Sequence, residues 1–240
     1  LFSCYGGIRN PFDYQTVEAG ADEYVLPPLW NTGSQKITWD LNLPTNIADG
    51  WSWGSNYRFI GQCLLFLQQL PHARGVTDEQ KRAWAAEANF LLAYYHMVTL
   101  VAYGPCPITD TYIDQATPES EYNGRMHFDY VKDWICQKFD EVCEDGQLPA
   151  TRTGDEWGRA TSVMAKALKA RLLVYAASPL FNGSFPYKDW ENTNFETPGY
   201  GKELISLKYD RKKWEVAKAA CQEAITAAEA AGHKLFSLED

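Results

Sequence analysis

Apolar positions recur along most of this chain at spacings of three and four, the period of a helix with one buried face. Tyr57, Ile60, Leu64 and Leu67 form such a stripe and predict a helix from about Asn56 to Leu70, stopped by Pro71. A second stripe, Trp84, Ala88, Leu91, Tyr95 and Val98, runs to a stop at Gly104–Pro105. Its start is marked by Thr77 as N-cap and Gln80 as capping-box partner, with Asp78 and Glu79 suited to the positive helix end. Phe128, Val131, Ile135 and Val142 predict a third helix near His127 to Glu144. Met164, Leu168, Leu172 and Tyr175 predict a fourth from Thr161 to Ala177, ended by Ser178–Pro179. A fifth, Arg211 to Ala231, is Ala-rich, carries Trp214 and Ile225, and closes at Gly232, a natural C′ residue.

Two stretches lack this period. Residues 1–53 are punctuated by Gly, Pro and Asn, with Trp30, Trp39, Trp51 and Trp53 scattered among them and one short strand expected near Lys36–Leu41. The chain therefore reads as an irregular segment, 1–53, holding a candidate ligand loop, followed by a helical domain, 54–240. Phe181 to Tyr209 is a second aperiodic stretch, rich in Gly, Asn and aromatics. Packed domains rarely keep such segments without a functional reason. The fold class expected is all-α: antiparallel helical pairs lined by small residues such as Ala85, Ala88, Ala167 and Ala217, with long irregular loops. Tetratricopeptide-like stacking gives that arrangement, although the strict repeat signature is absent.

Charge and composition narrow the function. The net charge is −9 with no basic block, so no nucleic-acid partner is expected. Nine Trp and 14 Tyr supply more large flat side chains than a core absorbs. The six cysteines form no CxxC and no cluster with zinc spacing, so buried free thiols and no metal are expected. Cys136 and Cys143 share a helix face too far apart to be bridged. The longest apolar stretch, Phe90 to Tyr103, is interrupted by His96 and Thr99 and is too short to span a bilayer. Asp155 and Glu156 are adjacent and cannot oppose each other across a glycosidic bond. His72, His96, His127 and His233 have neither metal spacing nor a nucleophile signature around them. His96 reads as a satisfied, half-buried helix residue. No enzyme activity and no cofactor are expected.

Three segments carry a family resemblance. They are Glu87-Ala-Asn-Phe-Leu-Leu-Ala-Tyr-Tyr closing on Tyr103-Gly-Pro-Cys-Pro-Ile, then Phe128-Asp-Tyr-Val-Lys-Asp-Trp-Ile followed by Leu148-Pro149, and then Gly158-Arg-Ala-Thr. The last leads into Ala167-Leu-Lys-Ala-Arg-Leu-Leu-Val-Tyr-Ala-Ala-Ser-Pro-Leu-Phe-Asn-Gly183. In this order they resemble the SusD/RagB proteins over roughly residues 50–235. The resemblance implies tetratricopeptide-like helical pairs in a lipid-anchored protein on the outer face of the bacterial outer membrane. Such a protein captures an oligosaccharide or other nutrient for a SusC-like TonB-dependent transporter. The chain begins at Leu1, and the family's amino-terminal lipid anchor and C-terminal half are expected to lie outside it; Cys4 is not that anchor.

A glycan site wants exposed flat aromatics beside amide or charged groups. Trp51-Ser-Trp53-Gly-Ser-Asn56 supplies that mix where the resemblance places sugar contacts, so Trp51, Trp53 and Asn56 are candidates, with Lys36 and Trp39 as further ones. Against this stands a plain packing role, the two Trp capping the core and Asn56 capping a helix. A helical-repeat adaptor that binds only protein is the alternative function. Tyr187, Trp190 and Tyr200 face either ligand, transporter or core. Finally, Glu87 and Arg171 fall on apolar stripes, and two inward opposite charges are expected to meet each other or a carbonyl, unless Arg171 snorkels to water.

Overall fold

The computed structural model describes residues 1–8, 43, 45, 53–114 and 116–236. Among the described residues six α-helices follow in order: α1 (Phe2–Tyr5), α2 (Trp53–Gln69), α3 (Asp78–Tyr103), α4 (Phe128–Glu141), α5 (Ser162–Ala177) and α6 (Arg211–Ala230). Only isolated bridges, Glu191 with Glu203 and Thr197 with Gly201, pair extended backbone among the described residues. Lys36–Leu41, where a strand is expected, lies outside them.

Local chemistry sets the boundaries. Thr77 and Gln80 form the reciprocal capping box, the Thr77 hydroxyl accepting from Gln80 N–H at 3.1 Å and Gln80 Oε1 accepting from Thr77 N–H at 2.9 Å. Thr161 caps α5 by accepting from Met164 N–H, and Asp210 caps α6 by accepting from Lys212 N–H. The α2 start is earlier than the apolar stripe predicts, at Trp53, which puts Asn56 inside the first turn and not at the cap.

Successive helices pack against one another, and their side-chain pairings run in opposite directions. Trp53 N–H, at the start of α2, donates to Tyr103 Oη at the end of α3. Phe90 meets Phe139 while His96 meets Trp134. Lys169 reaches Asp140, and Lys166 reaches Glu223 on α6. These are antiparallel pairs, as expected.

Helix α3 is the exception to one-faced amphipathicity. Ala88, Leu91 and Tyr95 are buried as the stripe predicts, but so are Phe90, Leu92, Met97 and Leu100 on its other sides, because α1, α2 and α4 surround it. Burying a side chain such as Leu91 contributes roughly 1.5–3 kcal/mol. In α5 the core face is Ala165, Leu172, Leu173 and Ala176, while Met164, on the predicted stripe, is exposed. Helix α6 buries only Ala217 and Ala220, and Trp214 and Ile225 face outward. All six thiols are free, with Cys4, Cys63, Cys106 and Cys136 buried.

Glu87 sits in the middle of this core with no exposure at all. Its partner is not Arg171, which is exposed on α5. Arg152 Nη2 donates to Oε1 at 3.0 Å, Arg159 Nε to Oε2 at 3.0 Å, and the Tyr5 hydroxyl to Oε2 at 2.5 Å. The stripe locates the carboxylate, but sequence spacing cannot say that its cations come from a loop instead of the neighbouring helix. Glu156 bridges the outer ends of both guanidiniums, and the Arg152 hydrogen bond, with both arginine charges, holds its carboxyl below the usual range. The hydrogen bond to Glu87 raises the Arg159 guanidinium further.

The Gly158-Arg-Ala-Thr segment is thereby explained as structure. Gly158 takes φ +87, a left-handed turn that suits glycine. Arg159 inserts toward Glu87, Ala160 N–H donates to the Tyr5 hydroxyl, and Thr161 caps α5.

His96 is fully buried, not half-buried, and satisfied. Its Nδ1 lies 2.8 Å from Leu92 O and its Nε2 accepts from Thr109 N–H, which assigns the neutral Nδ1–H tautomer. Burial pushes its pKa down to about 4, and His127 likewise, again chiefly by burial, to about 4.

Two measurements check these readings. Glu87→Ala strands two arginines and is expected to cost about 3–5 kcal/mol in urea denaturation, whereas Arg171→Ala is expected to stay within about 0.5 kcal/mol. For the histidines, folded-state values lie below the unfolded value near 6.5, so the unfolded chain binds protons that the folded chain refuses. Stability is therefore expected to be full above about pH 6.5 and to fall as pH drops toward about 4. His96→Gln is expected to flatten part of that slope, and an unchanged profile would show that His96 is not the source.

Candidate functional site

The described aromatics converge where α3 ends. Gly104 closes the helix with φ +69 and ψ −147, a conformation open essentially to glycine. Directly over it lies the Trp190 indole, so close that a Cβ at Gly104 would touch the ring at 3.5 Å. The chain then turns through Pro105, whose carbonyl accepts from Arg125 Nη1 at 2.5 Å. The Arg125 guanidinium stands 4.7 Å over the Trp53 ring, and Trp53 also packs on Tyr57 at 5.1 Å and edge-on to Tyr103 at 5.4 Å. Asn192 Nδ2 donates to Arg125 O at 2.6 Å, tying the 185–203 loop to this cluster.

Beyond Trp190 the loop is built as a stack. Phe128 and Phe181 are parallel at 4.1 Å, Phe185 and Trp190 are parallel at 5.5 Å, and Tyr187 meets Phe185 edge-on at 5.8 Å. Phe181 and Phe185 join the two pairs at 6.5 Å. The stack thus begins in the core at Phe128 and ends at the surface, where Tyr187 is 69% exposed. Phe185 to Trp190 line an open cleft of about 730 Å³, with Lys188 and Asp189 as its charged members.

The sequence candidates are distributed unevenly. Trp51, Lys36 and Trp39 lie outside the described residues. Trp53 is half-buried, with one face occupied by Arg125. Asn56 is buried at 4% exposure and its Nδ2 has no hydrogen-bond partner among the described residues, so it does not stand beside Trp53 at the surface. Tyr187 and Trp190 share the cleft, whereas Tyr200 stacks on His127 at 3.9 Å. Arg125 and Phe185 escape sequence analysis because neither sits on a periodic element. Trp157, 80% exposed beside Gly158, likewise lies in a turn with no periodic signal.

The chemistry available at the α3 exit is recognition. The Tyr57 hydroxyl donates to Pro107 O at 2.7 Å, and burial raises its pKa. Burial likewise pushes the Cys106 thiol up to about 12. What the surface offers instead is rigid π faces flanked by one guanidinium, one ammonium and one carboxylate. That set suits a ligand with both C–H patches and hydroxyls.

This all-helical fold of antiparallel pairs matches SusD-like structures over part of their length. No family model matches the sequence, and no curated protein matches it. Among solved structures, BT4246 is 53% identical with a TM-score of 0.87, over 96% of this chain and 39% of its own. A SusD-like protein from Bacteroides fragilis is 22% identical, TM-score 0.63, over 73% of this chain and 34% of its own. A surface glycan-binding protein from Bacteroides thetaiotaomicron, solved in complex with laminarihexaose, is 20% identical, TM-score 0.58, over 72% and 37%. The chain therefore spans about two fifths or less of the length of these relatives. No described helix is long and apolar enough to cross a membrane.

The Gly104 turn supplies the test of this construction. Gly104→Ala forces a side chain into a glycine-only conformation under Trp190, at an expected cost of about 1–3 kcal/mol. Urea denaturation is expected to read that loss, and stability identical to that of the parent would mean that the backbone at residue 104 does not need glycine.

Proposed function

We propose that this protein is a cell-surface glycan-binding subunit of a SusC/SusD-type uptake system, lipid-anchored to the outer membrane and capturing an oligosaccharide for a TonB-dependent transporter. The observation that carries this reading is the surface end of the aromatic stack. An exposed Tyr187 and a half-exposed Trp190 give up burial worth roughly 1.5–3 kcal/mol each, and stacking on a sugar would re-cover them. Lys188 and Asp189 would fix orientation through directional hydrogen bonds. The fold shared with a protein solved on laminarihexaose supports the same ligand class. Trp53 remains a proposed contact at the neighbouring α3 exit, where Arg125, held over its ring, would meet ligand hydroxyls. Trp51, Lys36 and Trp39 remain proposed contacts from the preceding segment.

The adaptor reading draws on one observation, the burial of Asn56 and half-burial of Trp53, which fits aromatics used as packing. One experiment separates the two. The protein is screened on a glycan array containing laminarihexaose and other neutral oligosaccharides, and hits are measured by calorimetry. Tyr187→Ala and Trp53→Ala are each expected to lose about tenfold in affinity, the equivalent of one stacking contact, with the helical circular dichroism unchanged. A correctly folded protein that binds no oligosaccharide would leave the adaptor reading standing.

A further inference from the structure

His127 has two roles at once: it caps α4, and it seats the loop that carries the aromatic cleft. Its Nδ1 accepts from Asp129 N–H at 3.1 Å, the N-cap bond that a side-chain oxygen usually makes. Its backbone N–H donates to Thr197 Oγ1 at 2.9 Å, and its ring lies on Tyr200 at 3.9 Å and 13°. Thr197 O accepts in turn from the Tyr200 and Gly201 N–H groups, so residues 197–201 form one turn resting on this histidine. The next residue, Phe128, donates its N–H to Leu204 O. Its ring stacks on Phe181, from which the aromatic contacts run out through Phe185 to Trp190.

This seat exists only for a neutral ring. With Nδ1 accepting, the single proton is on Nε2, which is buried and has no hydrogen-bond partner among the described residues. A second proton would go to Nδ1 and point its N–H at the Asp129 N–H, donor against donor. It would also place a positive charge at the positive end of α4. The groups facing the ring are Asp129 and Lys132 from α4, Lys213 from α6 and Tyr200 from the loop. Asp129 is the one carboxylate among these four and is already paired with Lys213 at 2.8 Å, so none of them is an uncommitted anion. Burial is the largest influence on the ring and holds its pKa at about 4.

We infer that His127 is an acid-sensitive latch: on protonation it leaves its seat, uncapping α4 and freeing the 197–201 turn with the aromatic loop behind it. The seated ring has a lower pKa than the value near 6.5 of a released histidine. Seating is therefore complete above about pH 6.5 and is lost as pH falls toward about 4. Phe128 opens the first turn of α4 and holds Phe181, so fraying there reaches Phe185 and the cleft through ring contact. That the cleft then gives up an oligosaccharide rests on the reading under Proposed function; the latch itself does not.

Amide NMR of the protein from about pH 7.5 to about pH 4 tests the latch without any ligand. The Thr197, Tyr200 and Gly201 amides are expected to leave their seated positions at the midpoint where the His127 ring protons titrate, while Leu91 and Tyr95 on α3 keep theirs. His127→Asn supplies a cap oxygen that takes no proton, and is expected to hold the three loop amides in place down to about pH 4. Loop amides that stay seated in the parent overturn the inference, as do loop amides that leave together with α3. Release in His127→Asn at the parent's pH also overturns it, since the surrounding carboxylates would then be the trigger. Should the variant not fold, ring and loop midpoints that disagree in the parent have the same force, and midpoints that coincide support the latch. In calorimetry with laminarihexaose, or the tightest oligosaccharide of the array, the parent is expected to bind about tenfold more weakly at pH 4.5 than at pH 7, and His127→Asn equally at both. Unchanged affinity in the parent while its loop amides move would overturn the link to the cleft. Absence of oligosaccharide binding at either pH would remove the glycan reading and leave the amides to decide the latch.

Discussion

Glu87 is a fully buried carboxylate, and its neutralisation constrains three separate stretches of chain at once. A dry, unpaired charge is not tolerated in a core, so the fold must bring Arg152, Arg159 and Tyr5 to it. Doing so fixes α1 against α3 and draws the connection between α4 and α5 across the bundle. It also places Thr161 where it starts α5. Stability is only part of this role. Apolar contacts alone would leave α3 free to rotate or slide among neighbours of similar shape, whereas a bidentate carboxylate–guanidinium pair accepts one register.

With α3 held, its exit becomes a fixed point on the surface. The indole of Trp190 lies on the Gly104 turn, and Arg125 is clamped between Pro105 O and Trp53. The aromatic loop is therefore preorganised, although its only extended pairing is two isolated bridges. Rigid aromatics lose little freedom when a ligand arrives, which matters where individual contacts are weak. The polar groups of the core tell the complementary story. His96 has both ring nitrogens engaged and is held neutral. Burial likewise holds Tyr57 and Cys106 in their neutral forms.

The bundle carries two concavities of opposite construction. The cleft at 185–190 is open and aromatic. The cavity beside Asp129 is smaller and is lined by three acidic and three basic side chains together with Leu173, Ala176 and Val216. Both adjoin the Phe128–Phe181 stack, the first through ring contact with Phe185 and the second through Lys213 on the Phe181 carbonyl.

The sequence by itself determined whatever depends on neighbours along the chain. Helix identity came from periodicity, since a buried face imposes a 3.6-residue repeat, most plainly on α2 and α4. The capping box at Thr77 and the glycine stop at Gly104 were legible because caps are satisfied within three or four residues. The motif segments pointed to the fold because each is a local device: a cap, a turn or an alanine face. Tertiary structure decided the rest. Only packing could say that α3 is enclosed on all sides, that Met164 faces out, or that Glu87 pairs with Arg152 and Arg159 and not Arg171. Exposure of Trp and Tyr followed the same rule. Trp53 turned half inward under Arg125, Asn56 was covered, and Tyr187 stayed out. Residues far apart in sequence meet only after the chain has folded, and neither their distances nor their solvent is encoded in local spacing.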